Sequence, residues 1–300
     1  MARSIQLLGD QPEFTRVCYY GPNGSGKSTA MVDMARLGPV AIINSEQGLR
    51  KHRLMELGIP IENMQISVDN SAPNLPDVTF EALSQLFWDL KEETTDPSPA
   101  TPVGLVWDTA TDSQITMLTA VRRMMHGKGR AFAEKSGQEY ATSEYDMDDK
   151  WWSIITGQLD HVIRQFRDLP MHWAIGCQLE RRESGDAPTS IGPAVFPSIQ
   201  SIIMGSSDYV IRLGVESWPD GRPLYLGWSR PESPYKAKDR DGVLPNPMVD
   251  PTFTRIHSYA TRTLTALDDP VQQAWTELTG GELPSRRPTA RRRRSEMVGD

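Results

Sequence analysis

The stretch Gly-Pro-Asn-Gly-Ser-Gly-Lys-Ser-Thr at positions 21–29 limits the folds open to this chain more than any other feature. It matches G-x-x-x-x-G-K-[ST], the pattern of a phosphate-binding loop. An apolar run from Arg16 to Tyr20 precedes it and is typical of a buried strand, and the residues from Thr29 to Leu37 have a helical pattern. Such a loop requires this order of strand, glycine-rich turn and helix. A glycine turn that only joins a strand to a helix is therefore a much weaker interpretation.

The chemistry of this loop predicts a nucleoside triphosphate, with ATP and Mg²⁺ as the cofactors. Glycines let backbone N–H groups point inward, and the start of the helix adds partial positive charge. We expect Lys27 to neutralise the β- and γ-phosphates and the Ser28 hydroxyl to ligate Mg²⁺. The residues predicted to bind the nucleotide are Gly21, Pro22, Asn23, Gly24, Ser25, Gly26, Lys27, Ser28 and Thr29.

Composition limits the compartment and the partners. Of 300 residues, 38% are hydrophobic, which is enough for a buried core, and no apolar run approaches the length of a membrane span. The N-terminus has no secretory signal pattern, and the two cysteines, Cys18 and Cys177, lie in apolar runs. We therefore expect a cytoplasmic protein with no membrane partner. The net charge of −7 means that any nucleic-acid contact must use local basic segments.

Apolar runs of strand type alternate with helical patterns along most of the chain. This alternation predicts an α/β fold with a mainly parallel central sheet, flanking helices and the nucleotide at the carboxyl edge of the sheet. Prolines and glycines from residue 214 onward predict a short β-rich C-terminal part. The predicted strands are 16–20, 40–44, 64–68, 103–108, 171–178 and 208–213, and the main predicted helices are 29–37, 80–91, 151–166, 197–204 and 270–278.

Two carboxylates follow predicted strands and are candidates for the chemistry. Asp108 ends the fourth strand, where P-loop enzymes place the acid that holds Mg²⁺. The next residue is Thr109 rather than a glutamate, so a water-activating base must come from elsewhere. Glu46, just past the second strand, is the candidate. Alternatively, Asp108 caps a helix and Glu46 is a first-turn glutamate, and the spacing alone does not decide.

The order of these motifs resembles the core of RecA-type recombinase ATPases. The phosphate loop is followed by strand–Ser45-Glu46-Gln47-Gly48-Leu49, by strand–Asp108 and by strand–Gln178. The resemblance implies that Glu46 activates water and that Gln178 senses the γ-phosphate and couples it to a DNA-binding loop. The chain is most similar to compact phage-encoded RecA-like ATPases associated with single-strand annealing and recombination, which would place it in the host cytoplasm.

The resemblance also implies shared ATP sites in a homo-oligomer, either a ring or a filament. The segment from Tyr235 to Arg240 looks like the basic segment that such proteins insert into the ATP site of a neighbour, and Lys238 and Arg240 are the implied cations. An exposed charged turn is the alternative for these residues.

Loops after two core strands are predicted to contact single-stranded DNA. The basic residues that we expect in these loops are Lys128, Arg130, Arg181 and Arg182. Solvated loops are the alternative, because residues 126–149 also contain acidic side chains. A single-strand-binding protein is a further candidate partner.

The sequence thus predicts four segments and one main function. The segments are an N-terminal lead-in (1–15), a RecA-like ATPase core (16–265), a C-terminal helix (266–284) and a flexible basic tail (285–300). The expected function is ATP hydrolysis, stimulated by DNA, in recombination, annealing or replication. A small-molecule or nucleotide kinase and an ATP-dependent loader or adaptor with little turnover are the alternatives.

Overall fold

The computed structural model describes residues 13–121, 123, 149–184 and 187–280 of the chain. Most of the predicted N-terminal lead-in, the two basic residues Lys128 and Arg130, and the predicted basic tail lie outside these residues. None of the helices in the described ranges is long and apolar enough to cross a membrane.

A mainly parallel sheet forms the centre of the described structure. Its strand order is β10-β8-β7-β1-β5-β4-β2-β3, with β6 pairing on β5 and β9 pairing on β7. Strands β3, β2, β4, β5, β1 and β7 run parallel, whereas β6, β8, β9 and β10 pair in the antiparallel sense. The strands are β1 (Arg16–Gly21), β2 (Val40–Asn44), β3 (Met64–Asp69), β4 (Gly104–Asp108), β5 (His172–Ser184), β6 (Ala187–Pro193), β7 (Tyr209–Ser217), β8 (Pro223–Trp228), β9 (Lys238–Asp239) and β10 (Met248–Val249).

Helices cover both faces of this sheet, as the predicted α/β fold requires. A 3₁₀ turn, Asp33–Arg36, continues the helix that follows the phosphate loop. The helices are α1 (Lys27–Val32), α2 (Lys51–Glu56), α3 (Phe80–Thr95), α4 (110–121), α5 (Asp149–Arg167), α6 (Pro197–Ser206), α7 (Phe253–Ala260) and α8 (Pro270–Thr279). The predicted α/β class, with its parallel sheet, flanking helices and strand-rich C-terminal region, is confirmed.

Burial on both faces explains why the core strands read as continuous apolar runs. In β1, Cys18 and Tyr20 face the layer that contains α3, α5 and α6, whereas Val17 and Tyr19 face the layer of α1 and α7. All four side chains are fully buried. A strand covered on both faces has no polar side to alternate with its apolar one.

The prediction was wrong about the segment that follows Gln178. Arg181 and Arg182 were expected in a loop, but β5 continues to Ser184 and turns back as β6. These residues form a β-hairpin because 187–193 pair with 179–184, a partnership that a pattern within one segment cannot reveal. Strands β6, β9 and β10 and helix α7 were likewise not predicted.

Candidate nucleotide site

The phosphate loop joins β1 to α1 and has the backbone conformation that its glycines allow. Gly24 and Gly26 have φ values of 77° and 86°, in the left-handed region that L side chains rarely adopt. Gly26 is also the N-cap residue of α1. A Cβ atom on Gly21 would lie 2.7 Å from Ser25 Oγ and 2.8 Å from the Leu213 carbonyl oxygen, so no larger residue fits there.

Lys27 is the central cation of the loop. Its side chain is buried, and the ammonium donates hydrogen bonds to the carbonyl oxygens of Gly21 and Pro22, each over 3.0 Å. A third contact of 3.3 Å leads to Oε1 of Gln178. Burial lowers the pKa of Lys27, and the nearby carboxylates of Glu46 and Asp108 partly oppose this effect. The ammonium is thus held at the mouth of the loop by neutral oxygen atoms.

Asp108 ends β4 in a position that is closed to solvent. Its residue exposure is 0%, and neither carboxylate oxygen has a good hydrogen-bond partner among the described residues. Burial raises the pKa of Asp108 to about 6, although the nearby Ser28 hydroxyl acts in the opposite direction. An unpaired buried carboxylate is costly, so the site has a place for a cation.

Ser28 and Asp108 meet beside Gly48. A Cβ atom on Gly48 would lie 3.1 Å from Ser28 Oγ and 3.7 Å from Asp108 Oδ2. These hard oxygen donors fit Mg²⁺, which is commonly held by one or two protein groups together with the phosphates of a nucleotide. The described part of the chain contains no cluster of three or more histidine, cysteine or acidic side chains that could hold a metal without such help.

Gln178 links the base candidate to the phosphate loop. Its Nε2 donates a hydrogen bond of 2.5 Å to Oε1 of Glu46, while its Oε1 accepts the Lys27 contact described above. The backbone N–H of Gln178 is fixed by Thr111 Oγ1 at 3.0 Å. Burial, together with the charge of Asp112, raises the pKa of Glu46.

Ser45 fixes the backbone that presents Glu46. The Ser45 N–H donates to the Asp108 carbonyl oxygen at 2.7 Å, and its hydroxyl oxygen accepts the Thr109 N–H at 2.9 Å. Strands β2 and β4 are neighbours, with Asn44 paired to Asp108. Glu46 therefore follows a strand end that is tied directly to the strand end bearing Asp108.

Sequence reasoning did not identify two residues near this site. Asp112, on α4, accepts a hydrogen bond of 2.7 Å from Thr109 Oγ1 and lies close enough to Glu46 to raise its pKa. Tyr225, on β8, packs against the phosphate loop, since a Cβ on Gly26 would lie 3.0 Å from its ring. Its place just after the predicted strand 103–108 was a signal for Asp112, whereas nothing in the sequence pointed to Tyr225.

The predicted DNA-contacting arginines are paired within the hairpin. Arg181 forms an exposed ion pair of 2.9 Å with Glu183, and Arg182 forms one of 2.6 Å with Glu180. Arg182 also donates a hydrogen bond to the carbonyl oxygen of Val195.

The two cations predicted to act on a neighbour lie far from the phosphate loop of their own subunit. Lys238 pairs through β9 with the start of β7, which is the amino edge of the parallel strands. Its ammonium donates to the carbonyl oxygen of Ser207 at 2.6 Å, and Arg240 forms an ion pair of 2.6 Å with Asp208. Each of the two cations therefore has a partner in its own chain, and Arg240 is exposed.

Comparisons with known proteins give little beyond the fold described above. No protein-family model matches the chain, and no curated protein matches it. Among solved structures, a KaiC-like protein from the hyperthermophilic archaeon Pyrococcus horikoshii OT3 is similar, with 12% sequence identity and a TM-score of 0.40. The similarity covers 73% of this chain and 80% of the other.

Proposed function

We propose that the chain binds Mg²⁺–ATP at the phosphate loop and hydrolyses it. The main support is one arrangement of three side chains, in which Gln178 is bonded to Glu46 at 2.5 Å and to Lys27 at 3.3 Å. The amide of Gln178 thus contacts both Lys27, the cation for the phosphates, and Glu46, the carboxylate for the attacking water. This combination suits a reaction in which water attacks a terminal phosphate.

Each residue has a defined task in this mechanism. Loop N–H groups and Lys27 would hold the β- and γ-phosphates. Ser28 and Asp108 would hold Mg²⁺, which would supply neutralisation of the phosphate charge. Glu46 orients the attacking water and accepts its proton. The burial that raises the pKa of Glu46 brings it nearer to neutral pH, which favours action as a general base.

The strand order supports placing this ATPase in the RecA-like class. Strand β5 lies between β1, which bears the phosphate loop, and β4, which bears Asp108. Gln178 therefore enters the site from the strand between them. Its contacts with both Lys27 and Glu46 depend on this position.

We further propose that single-stranded DNA is the partner, as in recombination, annealing or replication. Gln178 lies in β5 where the antiparallel β5–β6 hairpin begins, and the hairpin contains Arg181 and Arg182. A change at the γ-phosphate would act on Gln178 and through it on the hairpin. DNA bound there would act in reverse on Glu46, because coupling between two sites is reciprocal.

The test is to measure ATP hydrolysis with and without an oligothymidylate, using the release of phosphate as the readout. We expect Mg²⁺-dependent release that rises when the oligonucleotide is added. Phosphate release that the oligonucleotide does not stimulate would support the proposed ATPase activity and contradict the proposed DNA partner. Transfer of phosphate to a small molecule in place of release would favour the kinase alternative, and nucleotide binding without turnover would favour a loader or adaptor.

A further inference from the structure

Arg212 lies between two aromatic rings on the strand next to β1. It pairs with Trp228 across β7 and β8, and with Tyr20 across β7 and β1. Its Cζ lies 4.0 Å from the centre of the Trp228 ring and 3.9 Å from that of Tyr235. Stacking on both sides fixes the plane of the guanidinium. Because Tyr20 immediately precedes the phosphate loop, this arginine sandwich lies toward the carboxyl edge of the sheet.

Among the described residues, the guanidinium of Arg212 has no polar partner. Within the part of the chain that the structure describes, it donates no hydrogen bond and forms no ion pair, and its Nε is buried and unpaired. A guanidinium has five N–H donors in one plane, and an unpaired buried donor is costly. Arg212 as a whole is half-buried, so part of its surface is reachable from solvent. An oxyanion that approaches in the plane of the guanidinium, between the two rings, would satisfy these donors.

The neighbours of the sandwich favour a nucleic-acid phosphate as that oxyanion. The segment that bears Tyr235 is tied to β6 by two hydrogen bonds, from Ile191 N–H to the Pro234 carbonyl at 2.8 Å and from Lys236 N–H to the Ile191 carbonyl at 2.9 Å. The sandwich is therefore continuous with the β5–β6 hairpin. Arg181 and Arg182 of that hairpin are already ion-paired, whereas Arg212 is not.

We propose that Arg212, held between Trp228 and Tyr235, binds a backbone phosphate of single-stranded DNA. This inference rests on the DNA partner proposed above and names a contact for it. A stack that only closes the edge of the sheet would not need a cation with unpaired donors. A pre-oriented guanidinium loses little freedom when a phosphate binds, which suits a contact that is insensitive to base sequence.

The test is the affinity for a fluorescently labelled oligothymidylate, measured by anisotropy over a series of salt concentrations. Arg212→Gln should weaken binding about tenfold, as loss of a charge-assisted hydrogen bond does, and should lower the slope of log affinity against log salt by about 0.7. Arg222→Gln is the matched control, because Arg222 lies on the exposed β7–β8 turn and pairs with Asp220. That control should leave both quantities unchanged.

A thermal melt would reveal whether Arg212→Gln misfolds. Two further variants keep the test decisive if it does. Arg212→Lys keeps the charge but loses the planar donors, and Tyr235→Leu removes one ring of the sandwich. Both should weaken binding by less than Arg212→Gln while the salt slope stays that of the wild type. Wild-type affinity in both would overturn the inference.

The remaining outcomes separate this inference from the function on which it rests. Wild-type protein that hydrolyses ATP but does not bind the oligonucleotide would overturn the DNA partner and the Arg212 contact together. If the wild-type protein binds the oligonucleotide and folded Arg212→Gln has the same affinity and salt slope, the Arg212 contact alone would be overturned. Loss of DNA-free ATP hydrolysis with unchanged DNA affinity would assign Arg212 to the nucleotide instead, and would also overturn the contact.

Discussion

The amide of Gln178 donates a 2.5 Å hydrogen bond to the carboxylate of Glu46, although 132 positions separate them in the chain. Glu46 follows β2 and Gln178 lies within β5, and these two strands are not neighbours because β4 lies between them. The bond therefore spans the edge of the sheet where the phosphate loop and Asp108 also lie. A shift of Gln178 would alter the position and the pKa of Glu46 together.

Replacing Gln178 by alanine should uncouple the hairpin from the site. The lost hydrogen bond should reduce DNA-free turnover about three- to tenfold, and stimulation by single-stranded DNA should disappear. Gln178 lowers the pKa of Glu46, so its removal should move the acid limb of the pH–rate profile to higher pH. A variant that keeps both its stimulation and its pH profile would show that Gln178 has no part in coupling.

Asp108→Asn should stabilise the ligand-free protein at neutral pH. The folded chain holds the Asp108 proton with a pKa of about 6, above the ordinary value of 3.8. The folded state therefore binds more protons between pH 4 and 6, and the contribution of this group to the free energy of unfolding falls as pH rises through that range. We expect the variant to gain about 2–3 kcal/mol over wild type at pH 8.

The same gain should be largely lost at pH 4, where Asp108 keeps its proton in the folded state and is only partly ionised in the unfolded state. Paired denaturant titrations at pH 4 and pH 8 measure it, and Asp77→Asn, at an exposed position, is the control. A gain that is equal at both pH values would show that the charge of Asp108 is not its cause. The variant should also lose affinity for Mg²⁺–nucleotide.

Lys27→Ala should remove the cation that faces the phosphates. We expect turnover to fall by at least about 10²-fold, because this charge acts in a partly dry site. Lys51→Ala, at an exposed lysine that begins α2, should hydrolyse ATP at the wild-type rate. Phosphate release by both variants, with thermal melts to check folding, is the measurement. Full activity in Lys27→Ala would refute the assignment of the loop.

A mixing experiment tests whether Lys238 and Arg240 act on a neighbouring subunit. If they do, subunits with Lys238→Ala and Arg240→Ala, mixed with Glu46→Gln subunits, should regain part of the lost activity, since some interfaces then combine an intact base with intact cations. Turnover per subunit should also rise with protein concentration. Arg240→Lys, which can keep the pair with Asp208, controls for lost stability. Absence of rescue and of concentration dependence would favour a self-contained monomer.

Local pattern was sufficient to predict the sheet edge but not the contacts made across it. The runs that became β1, β2, β4 and the first part of β5 are mainly apolar, and parallel strands bring their carboxyl ends together. This geometry is why Glu46 and Asp108 could be named from the sequence, whereas Gln178 was named from the resemblance to RecA-type ATPases. All three lie near Lys27 in the structure.

The features that were missed depend on partners distant in the chain. Residues 187–193 form β6 only because 179–184 lie opposite, and a segment containing Gly192 and Pro193 gives little strand signal by itself. Similarly, Arg212 has the sequence pattern of an ordinary strand residue. Its position between Trp228 and Tyr235 depends on the path of the chain from β8 toward β9.

The most direct test of the proposed chemistry is the turnover of Glu46→Gln beside its affinity for ATP. The substitution keeps the size of the side chain and some of its hydrogen bonding but removes the base. We predict that ATP binding survives and that turnover falls by about 10²–10⁴-fold, the usual contribution of a general base. Glu62→Gln, at an exposed glutamate outside the site, is the control. Near-normal turnover of a folded Glu46→Gln protein would contradict the role of Glu46.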